Sequence, residues 1–212
     1  MILNWYGHAC FKAQGNQSDA SVVFDPYDSS IGLKAPRLSA NVVVVTDDSP
    51  SFNAWQQVKS SEHSPFLIQY PGEYEVKGIF ATAVAAKKAK SGTTLLVSMG
   101  IDDVTIGHLG SIDRLLNEQE LDALGRIDIL LLPVGGGDTL NGRLAVEVLK
   151  QIEPRIIVPM QYAIPGIKGE YGEIEGFLKE YGIKESEKLD KLKVLKRDLP
   201  SDEMRVVVLN LS

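Results

Sequence analysis

Residues 42–53 decide the fold, and they read Val-Val-Val-Val-Thr-Asp-Asp-Ser-Pro-Ser-Phe-Asn. Four consecutive valines without polar alternation predict a strand over residues 42–46 that is buried on both faces. The polar residues after it predict a loop, in which Asp47 and Asp48 would cap a short helix that begins near Phe52. A strand covered on both faces indicates an α/β protein built in layers.

The rest of the chain continues this α/β pattern. Apolar and β-branched runs predict strands, and apolar residues at helical spacing predict helices. The predicted strands are 2–6, 9–13, 21–24, 66–70, 74–84, 93–99, 104–108, 127–133, 155–160, 192–195 and 206–211. The predicted helices are 117–124, 143–152 and 174–181. This order predicts two packed sheets with helices outside them, in a single domain over residues 1–212.

Composition excludes several classes of partner. The 212 residues are 44% hydrophobic and 24% charged, and the net charge of −6 disfavours binding to nucleic acid or to an anionic membrane. The lysine-containing segments 87–90 and 184–197 are interpreted as solvated faces. No apolar run is long enough to span a bilayer, and residues 1–5 lack a basic leader, so we expect a cytoplasmic protein.

The single cysteine and the three histidines limit the chemistry further. Cys10 excludes an internal disulfide and is interpreted as a small buried hydrophobe. The alternative is a Cys–His nucleophile pair with His8, since residues i and i+2 of a strand share a face. His8, His63 and His108 have no metal-ligand spacing, so these side chains cannot assemble a histidine-rich metal site; His63 lies in a polar surface turn.

Polar residues collect in four loops that follow predicted strands. These loops are 47–52, 109–111, 135–139 and 161–162. Because the sites of α/β proteins lie beyond the carboxyl ends of strands, the four loops predict a shared pocket. The three glycines at 135–137 are a weak indication of phosphate binding, which close backbone packing explains equally well.

Seven short motifs in these strands and loops carry a resemblance to a known family. They read Trp-Tyr-Gly-His-Ala-Cys-Phe at 5–11, Phe-Asp-Pro-Tyr at 24–27, Pro-Gly-Glu-Tyr-Glu-Val at 71–76, His-Leu-Gly at 108–110, Leu-Pro-Val-Gly-Gly at 132–136, Ile-Glu-Pro-Arg at 152–155 and Val-Pro-Met-Gln-Tyr at 158–162. In order and spacing they resemble the metallo-β-lactamase fold, in particular its branch of small zinc-dependent hydrolases similar to L-ascorbate-6-phosphate lactonase. The resemblance implies a four-layer αββα sandwich, with two mixed β-sheets flanked by helices.

The same resemblance implies two metal ions, but the residues that would bind them are replaced. Family members place His-x-His-x-Asp-His after the strand that corresponds to residues 42–46, a bridging Asp after His-Leu-Gly, and a last His after Pro-Met. No histidine corresponds to a further family ligand around residues 84–86. The vestigial ligand positions in this chain are Asp47, Ser49, Ser51, Phe52, Ser111 and Gln161. Serine and glutamine are poor zinc ligands and phenylalanine is none, so we expect no metal and no other cofactor.

The remaining polar residues near these motifs have structural and functional interpretations. His8 and His108 match family residues that are not metal ligands, and we interpret them as hydrogen-bonded structural histidines. Asp25 is interpreted as a carboxylate that stabilises a turn. We expect Asp25, Gly136 and Tyr162 to line the pocket.

Three functional hypotheses remain open. The leading one is a non-catalytic protein that keeps the fold and acts through binding or assembly. The second is a phosphoester or lactone hydrolase with a rebuilt site, in which Asp47, Asp48, Asp138 and either His8 or His108 hold one Zn, Mg or Mn ion. The third is a sensor that binds a small anion, such as a phosphorylated sugar, in the vestigial pocket. Relatives often self-associate, so a homo-oligomer is a further expectation.

Overall fold

The structure is a computed structural model that describes residues 1–60, 64–183 and 186–212, so His63 lies outside the described residues. Fourteen strands and three α-helices follow one another along this part of the chain. The first strands are β1 (Ile2–Trp5), β2 (Phe11–Gln14), β3 (Ser21–Phe24), β4 (Val42–Val44), β5 (Phe66–Ile68), β6 (Gly72–Val76), β7 (Ile79–Lys87), β8 (Thr93–Ile101) and β9 (Val104–His108). The remaining elements are α1 (Glu118–Leu124), β10 (Ile129–Pro133), α2 (Gly142–Ile152), β11 (Ile156–Met160), α3 (Ile174–Tyr181), β12 (Glu187–Leu189), β13 (Leu192–Lys193) and β14 (Arg205–Leu209).

The strands form two mixed sheets, as the sequence predicts. The first has six strands in the order β13-β1-β2-β3-β4-β5, and the second has eight in the order β12-β14-β11-β10-β9-β8-β7-β6. Strands β3, β4 and β5 are parallel, and so are β9, β10, β11, β14 and β12. In each sheet the parallel strands end at the same edge, so the loops that follow them can form one site. The loops concerned follow β3, β4, β9, β10 and β11.

The valine strand is buried on both faces, and each face belongs to a different core. Val42 and Val44 join the main core, which contains residues of both sheets. Val43 and Val45 join a second core on the outer side of the six-stranded sheet. That outer core is closed by irregular chain and by 3₁₀ turns at Ser29–Ile31 and Trp55–Gln57 rather than by an α-helix.

Three local predictions are wrong. The helix expected near Phe52 is a single 3₁₀ turn whose N-cap, Ala54, makes no side-chain hydrogen bond. Asp47 instead accepts a hydrogen bond from the Ser49 backbone N–H at 2.9 Å, which closes a turn. The strand predicted over 74–84 is two strands, because Lys77 and Gly78 both have positive φ angles and form a tight hairpin.

His8 and Cys10 also lie outside any strand. The Cys10 N–H donates to the Gly7 carbonyl at 2.9 Å, and His8 has a φ of 53°, so the two residues share a turn and not a strand face. Cys10 is fully buried in the outer core, and burial raises its thiol pKa well above the ordinary value. The thiol is therefore held in its protonated form, which agrees with a buried hydrophobe and not with a nucleophile.

No helix among the described residues is long and apolar enough to cross a membrane.

A substitution in the central strand β10 tests the placement of the main core. Leu130 is 0% exposed, whereas Leu115 is 40% exposed and carries the same side chain. We expect Leu130→Ala to lower the free energy of unfolding by about 2–5 kcal/mol, since it opens a cavity in the core. Leu115→Ala is the matched control and should cost less than about 1 kcal/mol in the same denaturant titration. Equal losses for the two variants would contradict this placement of the core.

Candidate functional site

A cleft of about 550 Å³ lies beyond the carboxyl ends of β4, β9, β10 and β11. Its walls come from all four loops that the sequence predicts to meet, and from the hairpin loop at residues 88–92. The lining residues are Asp47, Ser49, Ser51, Phe52, Lys88, Lys90, Ser91, Ser111, Gly137, Asp138, Thr139, Gln161, Gly169, Glu170 and Tyr171. All six vestigial ligand positions therefore face one cavity.

Phe52 and His8 form an aromatic cluster at the inner end of the cleft. The Phe52 ring packs edge-on against the His8 ring at a centroid distance of 4.8 Å. The His8 Nε2 atom makes a 2.9 Å hydrogen bond with the Tyr171 hydroxyl, and the two rings also contact each other at 5.6 Å. Burial lowers the His8 pKa to about 4, so the ring is neutral at neutral pH.

Below the cleft, Asp25 connects the two sheets through a buried hydrogen-bond network. Its carboxyl oxygens accept the Thr46 N–H and the Thr46 hydroxyl, both at 2.7 Å. One of these oxygens lies 3.5 Å from His108 Nε2, which belongs to the other sheet. Asp25 and His108 are fully buried, and burial raises the pKa of the Asp25 carboxyl well above its ordinary value.

The hydrogen bonds of His108 fix its tautomer. Its Nδ1 atom accepts the Gly110 N–H at 3.0 Å, so the proton of the neutral ring is on Nε2. That N–H donates to the Ala9 carbonyl at 3.1 Å, and the ring stacks on Phe24 at 5.2 Å. Burial lowers the His108 pKa to about 4. His108 thus holds the strand ends together and does not line the cleft.

Gln161 continues this network up to the cleft. Its Nε2 donates to the Gly110 carbonyl at 2.9 Å, which orients the side-chain amide. The residue is 0% exposed, so its Oε1 is buried, and this oxygen has no hydrogen-bond partner among the described residues. A buried acceptor without a donor is costly, so this atom is a position at which a ligand donor would be bound favourably.

Three residues at these strand ends have left-handed backbone conformations that L-residues rarely adopt. The φ angles are 53° for His8, 43° for Asp25 and 54° for Gln161. Each such conformation costs about 1 kcal/mol or more and persists where the surrounding structure determines it. Such conformations are often found at functional sites, and these three residues lie in or directly beneath the cleft. The other four described non-glycine residues with positive φ lie in hairpin turns or at the end of α2, and they are Lys77, Asp102, Asp103 and Glu153.

The hairpin loop supplies two lysines, and the sequence interpretation of this segment as a solvated face missed Lys88. The Lys88 Nζ donates to the Ser111 Oγ at 3.3 Å, inside the cleft. The loop is held there by Asp113, whose carboxylate accepts the Ala89 N–H at 2.6 Å and the Lys90 N–H at 2.9 Å. Lys90 lies at the rim, where its Nζ is 3.8 Å from Asp138 and also donates to the Gly137 carbonyl.

The structure does not assemble the carboxylates of the rebuilt-site hypothesis. Asp48 is exposed, the Asp138 side chain is 86% exposed, and Asp47 is used in the turn onto Ser49. Across residues 1–60, 64–183 and 186–212, no three His, Cys, Asp or Glu side chains form a group that could hold a metal ion. The side chains that line the cleft therefore do not fit the two-metal centre that the resemblance implies.

The three residues expected to line the pocket are located elsewhere. Asp25 is fully buried beneath the cleft, and its carboxyl is used by Thr46, which agrees with its interpretation as a structural carboxylate. Tyr162 packs against Trp5 at a centroid distance of 5.1 Å and faces a separate groove beside α3. Gly136 lies behind Gly137 in the turn, where its carbonyl accepts from Thr139.

Comparisons with known proteins agree with this architecture. A family model described as the beta-lactamase superfamily domain matches residues 2–161. A protein of Thermoplasma acidophilum named a UPF0173 metal-dependent hydrolase is 28% identical over 185 residues, covering 74% of this chain and 81% of the relative.

Solved structures give the same result for the fold. A crystal structure from Thermotoga maritima, described as a proposed zinc-dependent hydrolase of the metallo-beta-lactamase superfamily, matches with a TM-score of 0.81 and 26% identity. The match covers 98% of this chain and 97% of that one. A metallo hydrolase from Ignicoccus hospitalis matches with a TM-score of 0.64 at 17% identity, over 84% of this chain and 89% of its own, and shares the fold.

The buried neutral His108 gives the protein a defined pH dependence. Its pKa is about 4 in the folded chain and near the ordinary 6.5 when unfolded. Below pH 6.5 the unfolded chain therefore binds a proton that the folded chain does not, and stability falls until about pH 4. One such proton corresponds to a slope of about 1.4 kcal/mol per pH unit.

We expect His108→Gln to flatten the stability profile by about this slope between pH 6.5 and 4, measured by urea unfolding. Glutamine keeps one donor and one acceptor for the Ala9 carbonyl and the Gly110 N–H. The Asp25 carboxyl, with its raised pKa, is present in both proteins and contributes to both profiles. Parallel profiles for the two proteins would contradict the neutral buried state of His108.

Proposed function

The chain belongs to the beta-lactamase superfamily domain family, and from that premise we propose that it is a non-catalytic member that binds a small ligand in the cleft without a metal. The observation that carries this proposal is the chemistry of the six vestigial ligand positions. All six line the cleft, yet Asp47 alone among them is a residue type that commonly binds metal ions, and its carboxylate closes a turn.

The contact between Lys88 and Ser111 supports the same conclusion. Ser111 stands where the resemblance implies a bridging carboxylate, and it receives a lysine ammonium instead. An ammonium repels a divalent cation at 4 Å by roughly 8 kcal/mol at an effective dielectric constant of 20. The half-buried Lys88 therefore adds an electrostatic obstacle to the shortage of ligands.

The histidines near the cleft also do not supply a general base. An effective base has a pKa near the working pH, whereas the pKa values of His8 and His108 are lowered to about 4. His108 uses both of its ring nitrogens, for Ala9 and Gly110, and His8 uses Nε2 for Tyr171. Neither histidine is therefore suited to activate a water in the cleft.

The second candidate function is a metal-dependent hydrolase, which the names of the two similar proteins favour. It requires Asp47 to join Asp48 or Asp138 around one ion. Such an enzyme would gain phosphoesterase or lactonase turnover on addition of Zn²⁺, Mn²⁺ or Mg²⁺, and it would lose that turnover in Asp47→Ala.

Metal analysis of untagged protein, purified without chelators, distinguishes the two candidates. We expect zinc, iron and manganese well below one equivalent per chain, and no phosphodiesterase or lactonase turnover with added Zn²⁺, Mn²⁺ or Mg²⁺. The Thermotoga maritima relative, purified in parallel, is the control that the procedure preserves a bound metal. One equivalent of metal in this chain, together with turnover that Asp47→Ala abolishes, would establish the hydrolase instead.

A further inference from the structure

Lys88 brings a positive charge into the cleft, although the sequence pattern of its segment predicts a solvated face. Lys88 is half-buried and donates to Ser111, and within the described chain no carboxylate oxygen lies within 4.0 Å of its Nζ. An ammonium has three donors, so two remain for a ligand. An uncompensated, partly desolvated cation in a cavity is a binding group for an anion.

Two of the three carboxylates that line the cleft lie at its rim. Asp138 and Glu170 are exposed, and Asp138 pairs with Lys90. The third, Asp47, accepts the Ser49 N–H and keeps its negative charge, which acts on His8 and Asp25 deeper in the site. Repulsion from Asp47 disfavours an anion elsewhere in the cleft, so the contact with Lys88 fixes where the charged group of a ligand binds.

The side-chain amide of Gln161 indicates which group a bound anion would carry next to its charged end. Its buried Oε1 lacks a donor, whereas its Nε2 is fixed on the Gly110 carbonyl. An oxyanion without protons cannot satisfy this acceptor, but a ligand hydroxyl can. Three more hydroxyl side chains, Ser49, Ser51 and Ser91, line the same cavity and can either donate or accept.

Building on the proposed function, we infer that the cleft binds a small hydroxylated anion, with Lys88 contacting its phosphate or carboxylate group and Gln161 Oε1 accepting from an adjacent hydroxyl. Lys88 then supplies the positive charge of the site. Ser111 is a positioning residue, because its Oγ holds the ammonium in place.

The probes for this inference are glycerol 3-phosphate, glycerate, inorganic sulfate and glycerol, titrated by calorimetry into chelator-treated protein. Sulfate carries no proton at neutral pH, so we expect glycerol 3-phosphate or glycerate to bind more tightly than sulfate, and glycerol not to bind up to about 10 mM. The first two probes separate a phosphate from a carboxylate as the charged group. Affinity should fall as salt is added, since the contact is ionic.

Substitutions assign the binding to the cleft. We expect Lys88→Ala to weaken binding of the better anion by about tenfold or more, and Ser111→Ala to weaken it by a smaller factor. Lys191→Ala is the matched control, because Lys191 is exposed and does not line the cleft, and it should leave affinity unchanged. Urea unfolding of each variant shows whether the fold is retained.

Three results would overturn the inference. They are no binding of either hydroxylated anion, an affinity in Lys88→Ala equal to that of the unmodified protein, and equal affinities for inorganic sulfate and both hydroxylated anions. Each can occur in metal-free, inactive protein, so the inference can fail while the proposed function stands. Stoichiometric metal with turnover would instead remove the proposed function itself.

Discussion

The contact of Asp25 with Thr46 and His108 is the constraint on which the site depends. Asp25 lies at the end of β3, Thr46 follows β4, and His108 ends β9 in the opposite sheet. All three residues are buried, so each unpaired polar atom would cost about 1–3 kcal/mol. The ends of strands from both sheets are therefore held at fixed positions, and the loops beyond them must meet in one cleft.

The same network extends from Asp25 to the loops of the cleft. His108 connects Ala9 to Gly110, and Gln161 connects Gly110 to the end of β11. Thr94 adds a further link, since its Oγ1 donates to the Thr46 carbonyl and accepts the Ser111 N–H. At Gly110 an added Cβ would lie 2.1 Å from this Oγ1, so a side chain cannot be accommodated there. These links join the cleft loops through protein atoms alone.

Much of the fold could be predicted from the sequence, because its strongest elements are defined by local patterns. Strands β3 and β9 and helix α3 begin and end where the apolar runs and Gly182 indicate. The prediction of a single strand over 74–84 was wrong, because the pattern of apolar residues is the same on both sides of Lys77 and Gly78 and gives no sign of the turn between them. Strand β12 was missed because Glu187–Leu189 is polar, and its pairing with β14 depends on a distant segment.

The site was predictable in outline but not in its charge. Strand ends and motif order locate the four loops, and the six vestigial positions do meet in one cleft. Lys88 could not be found in this way, because the local segment Lys-Lys-Ala-Lys resembles any solvated hairpin. Its position depends on hydrogen bonds from the loop backbone to Asp113, which lies beyond the next two strands. Tyr171 contacts His8 from a loop that is still more distant in the sequence.

A lysine can replace the charge of a metal ion but not its chemistry, and this difference favours binding over hydrolysis. A metal ion lowers the pKa of its bound water and so generates hydroxide, which an ammonium cannot do. The ammonium still donates hydrogen bonds to an oxyanion, and Ser111 restricts its motion. The lowered pKa values of His8 and His108 make both rings weak bases for activating a water beside a bound anion. Under the proposed function, the arrangement around Lys88 would therefore bind a hydroxylated anion without hydrolysing it.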